Sequence, residues 1–246
     1  MMKNLFQILC GLFLVVSYSS CMHSEEDKVD VLIIGGGASG VTSGIQSARM
    51  GANTLILEES TWLGGMLTSA GVSAVDGNYR LPAGLWGEFK KRLSDYYGGL
   101  DSLKTGWVSN VLFEPSVGNK ILHEMVAAEN NLKVWKQACL EEVKRTGDEW
   151  VAKVKVEGQG VKTVRAKVMI DATELGDVAK ICGVKYDIGM ESRDDTHEDI
   201  APEKKNNIVQ DITYVAILKD YGKDVTIPEP EGYDPKEFAC ACASPV

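Results

Sequence analysis

A chain of 246 residues, 44% of them hydrophobic and 25% charged, has the composition of one large globular domain, or one with a small appendage, rather than of a disordered segment. Its formal net charge of −9 argues against nucleic acid as a partner, because phosphate recognition by side chains needs clustered Lys and Arg. An anionic cofactor can still bind, mainly through backbone N–H groups and a helix N-terminus.

Residues 1–20 read as an export leader. Lys3 supplies the positive flank, residues 8–16 the apolar run, and Ser17, Ser19 and Ser20 the small residues ahead of Cys21. The run is shorter than the roughly 20 residues a membrane-spanning helix requires. A small residue before a cysteine at the end of such a leader is similar to the bacterial lipoprotein processing site. Tyr18 departs from it, standing where an aliphatic residue is usual. The resemblance implies a lipid on Cys21 and a protein anchored in the bacterial cell envelope, periplasmic or on the outer-membrane surface. Residues 21–28, with the acidic run Ser24-Glu25-Glu26-Asp27, then read as a tether. No metal site is expected: His23, His123 and His197 lack ligand spacing, and Cys240 and Cys242 stand too close for a zinc pair. Cys139 and Cys182 sit among apolar residues and are expected in the core.

Residues 29–34 are mostly β-branched or aliphatic, as in a strand buried on both faces. Glycines follow, then a helix over 38–50 and a second aliphatic strand over 53–57, a right-handed βαβ unit. Helical periods recur at 85–97 and 116–129, with a short strand over 132–135. From Ala138 the period becomes two, through Val143, Trp150, Val154, Val156, Val161 and Val164, with glycine turns at 146–148 and 158–160. That pattern predicts a three-stranded antiparallel meander. A separate apolar strand over 167–170, a helix near 175–182, a polar loop over 187–207 and a strand over 211–218 complete the expectation.

The strongest motif is Gly35-Gly36-Gly37-Ala38-Ser39-Gly40. Gly35, Gly37 and Gly40 give the G-x-G-x-x-G spacing directly between strand and helix, where Gly35 permits the turn, Gly37 the approach of a diphosphate, and Gly40 close packing. Glu58 ends the next strand and suits both hydroxyls of a ribose, while a 2′-phosphate would be repelled. Glu59 is the fallback and is expected to point away. Downstream come Gly64-Gly65-Met66-Leu67-Thr68 and Asp171-Ala172-Thr173-Glu174-Leu175-Gly176-Asp177, the latter at another strand end.

The order of these pieces resembles the glutathione-reductase-type FAD fold. More narrowly, over about residues 29–220, it resembles the bacterial FAD-dependent oxidoreductase family. That family is marked by Gly-Gly-Met-Leu-Thr and Asp-Ala-Thr-x-x-Gly-Asp; some members carry a xanthan lyase label that these residues do not support. The resemblance implies an α/β, Rossmann-like FAD/NAD(P)-binding domain over 29–186 with a parallel sheet and the meander, followed by the start of a substrate or cap region over 187–246. It implies FAD as cofactor, with Gly35, Gly37, Ala38, Ser39 and Gly40 on the pyrophosphate, Glu58 on the ribose, and Gly64, Gly65 and Met66 at the phosphate and flavin edge. Asp171, Ala172, Thr173 and Asp177 fall on the far side, and the backbone near Leu140 meets the adenine. The implied activity is hydride transfer between a small-molecule substrate and the flavin. No catalytic acid or base can be named; Thr68, Ser69 and Ser73 fall nearest the ring. Tyr79, Trp86 and Trp107 are candidates for a substrate pocket, with Trp86 better placed for the core. Proteins of this fold return late in the chain to complete the sheet, so a chain ending at Val246 is expected to be an incomplete fragment. The alternatives are an NAD-dependent dehydrogenase, which needs further parallel βα units, and a non-catalytic envelope lipoprotein.

Overall fold

The computed structural model describes residues 26–77, 79–106 and 109–238. The leader, the Cys21 anchor, His23, Trp107 and the Cys240–Cys242 pair lie outside them. Strand β1 (Glu26–Ile34), helix α1 (Ala38–Arg49) and strand β2 (Thr54–Glu58) form the expected βαβ unit, with Val31 beside Thr54 and Ile34 beside Leu57 in parallel register. Glu26–Lys28, read from sequence as tether, already belong to β1, where they pair with Thr163–Arg165. Helix α1 turns Val41, Ile45 and Ala48 onto the sheet, and Gly44 lets it approach closely, since a Cβ there would lie 2.6 Å from Ile56 Cδ1.

Helices α2 (Gly84–Tyr97) and α3 (Pro115–Ala127) follow at the predicted places, and strand β3 (Leu132–Lys136) pairs parallel with β2. Pro115 opens α3 where its missing N–H costs nothing. Strands β4 (Ala138–Thr146), β5 (Glu149–Val156) and β6 (Gly160–Asp171) are the antiparallel meander. The separate strand expected over 167–170 does not exist. Residue for residue, β6 is one strand that pairs antiparallel with β5 through Gly160–Ala166 and parallel with β1 through Thr163–Asp171. The result is a single six-stranded sheet in the order β3-β2-β1-β6-β5-β4. Its two edge strands, β3 and β4, are joined by Gln137 alone, whose φ of 52° makes the corner. So short a link makes the sheet curl until these two strands come together at that corner, without pairing.

Curling divides the core in two. Ile33 and Ile56 face α1, α2 and α3 with Phe89, Leu93, Ile121 and Met125. The alternate residues Leu32, Ile34, Leu55 and Leu57 face the inner side of the meander, with Ala152, Val154, Val156 and Val164. The parallel strands are thus apolar on both faces because helices cover one and the meander the other. Ile56→Val should lower unfolding free energy by about 0.5–1.5 kcal/mol in urea titration, the usual loss for one buried methyl group. Val161 and Val164 have opposite parity along β6, so only Val164 turns inward and Val161 is exposed.

Three other expectations fail. Cys139 is exposed, not core, because alternation along β4 sends Ala138 inward and Cys139 out; Cys182 is exposed beyond the end of helix α4 (Asp177–Ile181). No strand forms over 211–218. Ile212 and Tyr214 are 88% and 94% exposed and no neighbouring strand receives their backbone groups. The loop over 187–207 contains one short helix, α5 (Arg193–Thr196), fixed by a capping box in which Ser192 and Asp195 each accept from the other's backbone N–H. Residues 216–246 form a separate unit whose described part has only the turn Pro235–Phe238 as regular structure.

Candidate functional site

The ends of β1, β2 and β6 meet at a cleft of about 270 Å³. Hydrogen bonds from Gly35 N to Leu57 O (2.9 Å) and from Ala172 N to Ile34 O (2.8 Å) bring the three strand ends together. Gly35 turns the chain at φ 102°, with no room for a side chain against the Ala172 carbonyl. Gly40 packs beneath it, where any Cβ would overlap the Gly35 carbonyl oxygen. These two glycines build the turn. Gly37 differs: it precedes α1 with φ −63° and ψ −173°, an ordinary extended conformation, and no side chain caps the first N–H groups of the helix. Its missing Cβ would point into the cleft, with only the Glu174 carboxylate within 4 Å. The open helix tip carries the partial positive charge of the helix dipole.

Glu58 closes the cradle. Its carboxylate accepts from Gly36 N and Ser60 N, both at 2.7 Å, which fixes its position while leaving lone pairs free. The loop after β2 lies against the glycine turn through Gly64 N to Gly36 O (2.8 Å) and a bridge between Gly37 and Gly64. Gly64 itself faces Leu122 and Thr68, so its role is packing at φ 106°; Gly65 lines the cleft, and a Cβ on it would lie 3.1 Å from the Gly37 Cα.

Of the predicted site residues, Gly35, Gly37, Glu58, Gly65, Leu140, Ala172, Thr173 and Asp177 line the cleft. Ala38, Ser39, Gly40, Gly64, Met66 and Asp171 do not. Ala38 and Ser39 stand at the tip of α1, and the Met66 side chain is 58% exposed to solvent. Leu140 sits beside a bulge in which Glu141 is the extra residue between the pairs Leu140–Val154 and Glu142–Lys153, so main chain there is released from the ladder.

Asp171 holds the third turn together. Its carboxylate accepts from Thr173 N (3.0 Å), Thr173 Oγ1 (2.7 Å) and Ala179 N (2.7 Å). Burial would raise its pKa, but hydrogen bonds from Thr173, Ala179 and Val178 outweigh burial and keep it below the usual aspartate value. A depressed folded pKa contributes stability that is present above the unfolded value of 3.8 and is lost as pH falls through the folded value. Asp171→Asn should therefore cost roughly 1–3 kcal/mol at pH 7 and should melt with a shallower pH dependence below pH 4 than wild type.

Several cleft residues were not foreseen. Glu59 was expected to point away, yet it lines the cleft. Burial, and then the charge and hydrogen bond of Glu59, push the Cys139 thiol pKa up. Glu174 falls at a variable position of the Asp-Ala-Thr motif, so no pattern marks it. Its carboxylate nevertheless reaches the glycine cradle, 2.8 Å and 2.7 Å from where side chains on Gly37 and Gly65 would begin. Thr68 and Ser73 act structurally, the first donating to Leu63 O (2.6 Å) and the second accepting from Phe113 N through its carbonyl; Ser69 lines the cleft. Trp86 packs on the helical core, as expected. Four carboxylates, Glu58, Glu59, Glu174 and Asp177, surround the cleft, and among the described residues no Lys or Arg lines it. Among the described residues no group of His, Cys, Asp and Glu is arranged to hold a metal.

A glycine turn between a buried strand and a helix tip, with a carboxylate at the next strand end, marks a Rossmann-like, dinucleotide-binding α/β domain. The family model described as FAD dependent oxidoreductase matches residues 30–243, and the chain belongs to that family, whose cofactor is FAD. Comparison with curated protein sequences gave no match. Among solved structures the chain is similar to a flavoprotein/dehydrogenase from Cytophaga hutchinsonii, at 18% identity over 64% of this chain and 42% of that one, with a TM-score of 0.49. A geranylgeranyl bacteriochlorophyll reductase-like protein from Thermoplasma acidophilum gives 17% identity over 73% and 49%, with a TM-score of 0.47. The p-nitrophenol 4-monooxygenase of Pseudomonas putida gives 14% over 67% and 46%, with 0.44. The chain spans less than half the length of each of these structures.

Proposed function

We propose that the cleft holds the ADP half of FAD and that the protein transfers hydride between a small-molecule substrate and the flavin. One observation carries this reading: Gly37 opens onto the cleft in a relaxed conformation at an uncapped helix tip, with the Glu58 carboxylate fixed beside it. In this assignment the amides at the start of α1, with Gly37 and Gly65, take the diphosphate, and Glu58 accepts from the ribose hydroxyls. Ala138 and Leu140 flank the adenine, where the bulge at Glu141 offers free main chain. Ala172 and Thr173 close the opposite side on a turn that Asp171 holds rigid. FAD, when bound, supplies the ring that accepts or donates hydride; the protein supplies orientation and a field. The NAD-dependent alternative requires parallel βα units after β3, whereas the described residues there form the meander.

The purified protein should show absorbance near 450 nm, or, if isolated without flavin, a gain in Tm on adding FAD that NAD does not reproduce. A colourless protein with no gain from FAD would sink the reading. Export and acylation at Cys21, with envelope localisation, belong to the same proposal. No helix of the described residues is long and apolar enough to cross a membrane. Radiolabelled palmitate should enter wild type and not Cys21→Ser.

A further inference from the structure

The described residues contain a second cavity, of about 340 Å³, lined from the segment before α2 by Tyr79 and Arg80, from α2 by Lys90, and further along the chain by Leu100, Lys104, Asn110 and Val111. It shares no lining residue with the acidic cleft and has the opposite charge: Arg80, Lys90 and Lys104 line it and no Asp or Glu does. In a chain with net charge −9, three converging cations are not an average surface.

Their positions are set by specific contacts. Lys90 donates to the carbonyls of Tyr79 (2.6 Å) and Leu81 (2.8 Å), and its ammonium lies 5.6 Å from the Trp86 ring centroid. It is therefore fixed in place, unlike a free surface lysine. Arg80 donates through Nε to the Tyr79 hydroxyl (3.0 Å), with its guanidinium carbon 5.4 Å from the same ring. Among the described residues no carboxylate pairs with Arg80, so its terminal N–H groups have no anionic acceptor. Lys104 is paired with Asp101 at 2.7 Å. The hydrogen bond and charge of Asp101 hold the Lys104 pKa above the usual lysine value, and Arg80, close enough to be felt as a like charge, opposes them. One carboxylate beside three cations leaves the cavity net positive. Tyr79 and Asn110 add neutral polar groups, and Leu100 and Val111 an aliphatic wall.

A guanidinium with free terminal donors matches the two oxygens of a carboxylate, and the volume and apolar wall suit a short body attached to it. We propose that this cavity is a binding site for small organic carboxylates, with Arg80 as the principal contact and Lys90 and Lys104 supplying the surrounding positive field. The site stands apart from the flavin cleft, and its test does not depend on flavin being bound.

Calorimetry on the protein as purified, with benzoate as the probe and its neutral isostere benzamide as the control, measures the charge requirement directly. Benzoate should bind at least about tenfold more tightly than benzamide, and more tightly than inorganic phosphate at equal ionic strength, because phosphate has no apolar body to cover Leu100 and Val111. Arg80→Gln, at an exposed position, should melt with wild type and weaken benzoate about tenfold, the worth of one charge-assisted hydrogen bond. Equal binding of benzoate and benzamide would reduce the cavity to an apolar pocket. Equal binding of benzoate and phosphate would reduce it to a general basic patch, and full retention by Arg80→Gln would remove the principal contact; any of these overturns the proposal. The first two comparisons use wild type and stand however the variant behaves.

Discussion

Gly37→Val is expected to fold as well as wild type and to lose FAD affinity by at least about a hundredfold. Three glycines share one motif, and the geometry assigns them different duties. At Gly37 the backbone angles suit any residue, and an added Cβ would meet only the end of a flexible glutamate. Their cost therefore falls on the ligand: a branched side chain at the helix tip would hold a diphosphate off the amides, and several charge-assisted hydrogen bonds, each worth about 1.5–3 kcal/mol, would lengthen together. At Gly40 the same change would drive Cβ into the Gly35 carbonyl, and at Gly35 it would collide with Ala172 in a left-handed backbone conformation. Those variants should fail in folding, seen as a lowered Tm without any ligand. Fluorescence titration with FAD beside thermal melts separates the two classes. Should Gly37→Val retain FAD while melting normally, the diphosphate does not lie where the helix tip points.

The contrast shows what the sequence could and could not reveal. Spacing located the turn because tight turns, close packing and phosphate approach all require glycine, and a pattern of glycines records that need without distinguishing its causes. Hydrophobic period likewise placed α1, β2, α2 and α3 to within two residues, and β1 except for its polar first three, since burial on one or two faces leaves its mark locally. The continuity of β6 was hidden. Its first half alternates and its second half is apolar, so it reads as two strands, although both patterns arise from one strand with an antiparallel partner on one side and a parallel partner on the other. Residues 211–218 failed for the opposite reason: Ile212, Tyr214 and Val215 have strand propensity, but a strand needs a neighbour, and propensity carries no record of one. Among cleft residues, those making main-chain shape were legible, as were Glu58 at its strand end and Asp177 in its motif, whereas carboxylates outside any such pattern were not. Glu59 and Glu174 are ordinary surface carboxylates in sequence, and only the curl of the sheet and the turn after β6 bring them to the cradle.

Glu174 then sets the second large effect. Its carboxylate stands beside Gly37 and Gly65, where the assignment puts a diphosphate, so FAD must displace one negative charge while entering a cleft that keeps three more. Unit charges about 4 Å apart interact by about 1 kcal/mol even in bulk water, and by more where the protein excludes solvent. Glu174→Gln keeps the shape of the side chain and removes the charge; it should tighten FAD binding about tenfold at 20 mM salt. Screening shortens to about 3 Å at 1 M salt, so the advantage should shrink steadily as salt rises. Wild type should correspondingly bind FAD more tightly with added salt, the reverse of a site that holds phosphate through Lys and Arg. Titrations of both proteins across that range provide the check. Equal affinity at low salt would mean that the Glu174 side chain leaves the cradle at no electrostatic cost, and a wild-type affinity that falls with salt would mean that cations outside the described residues hold the phosphates.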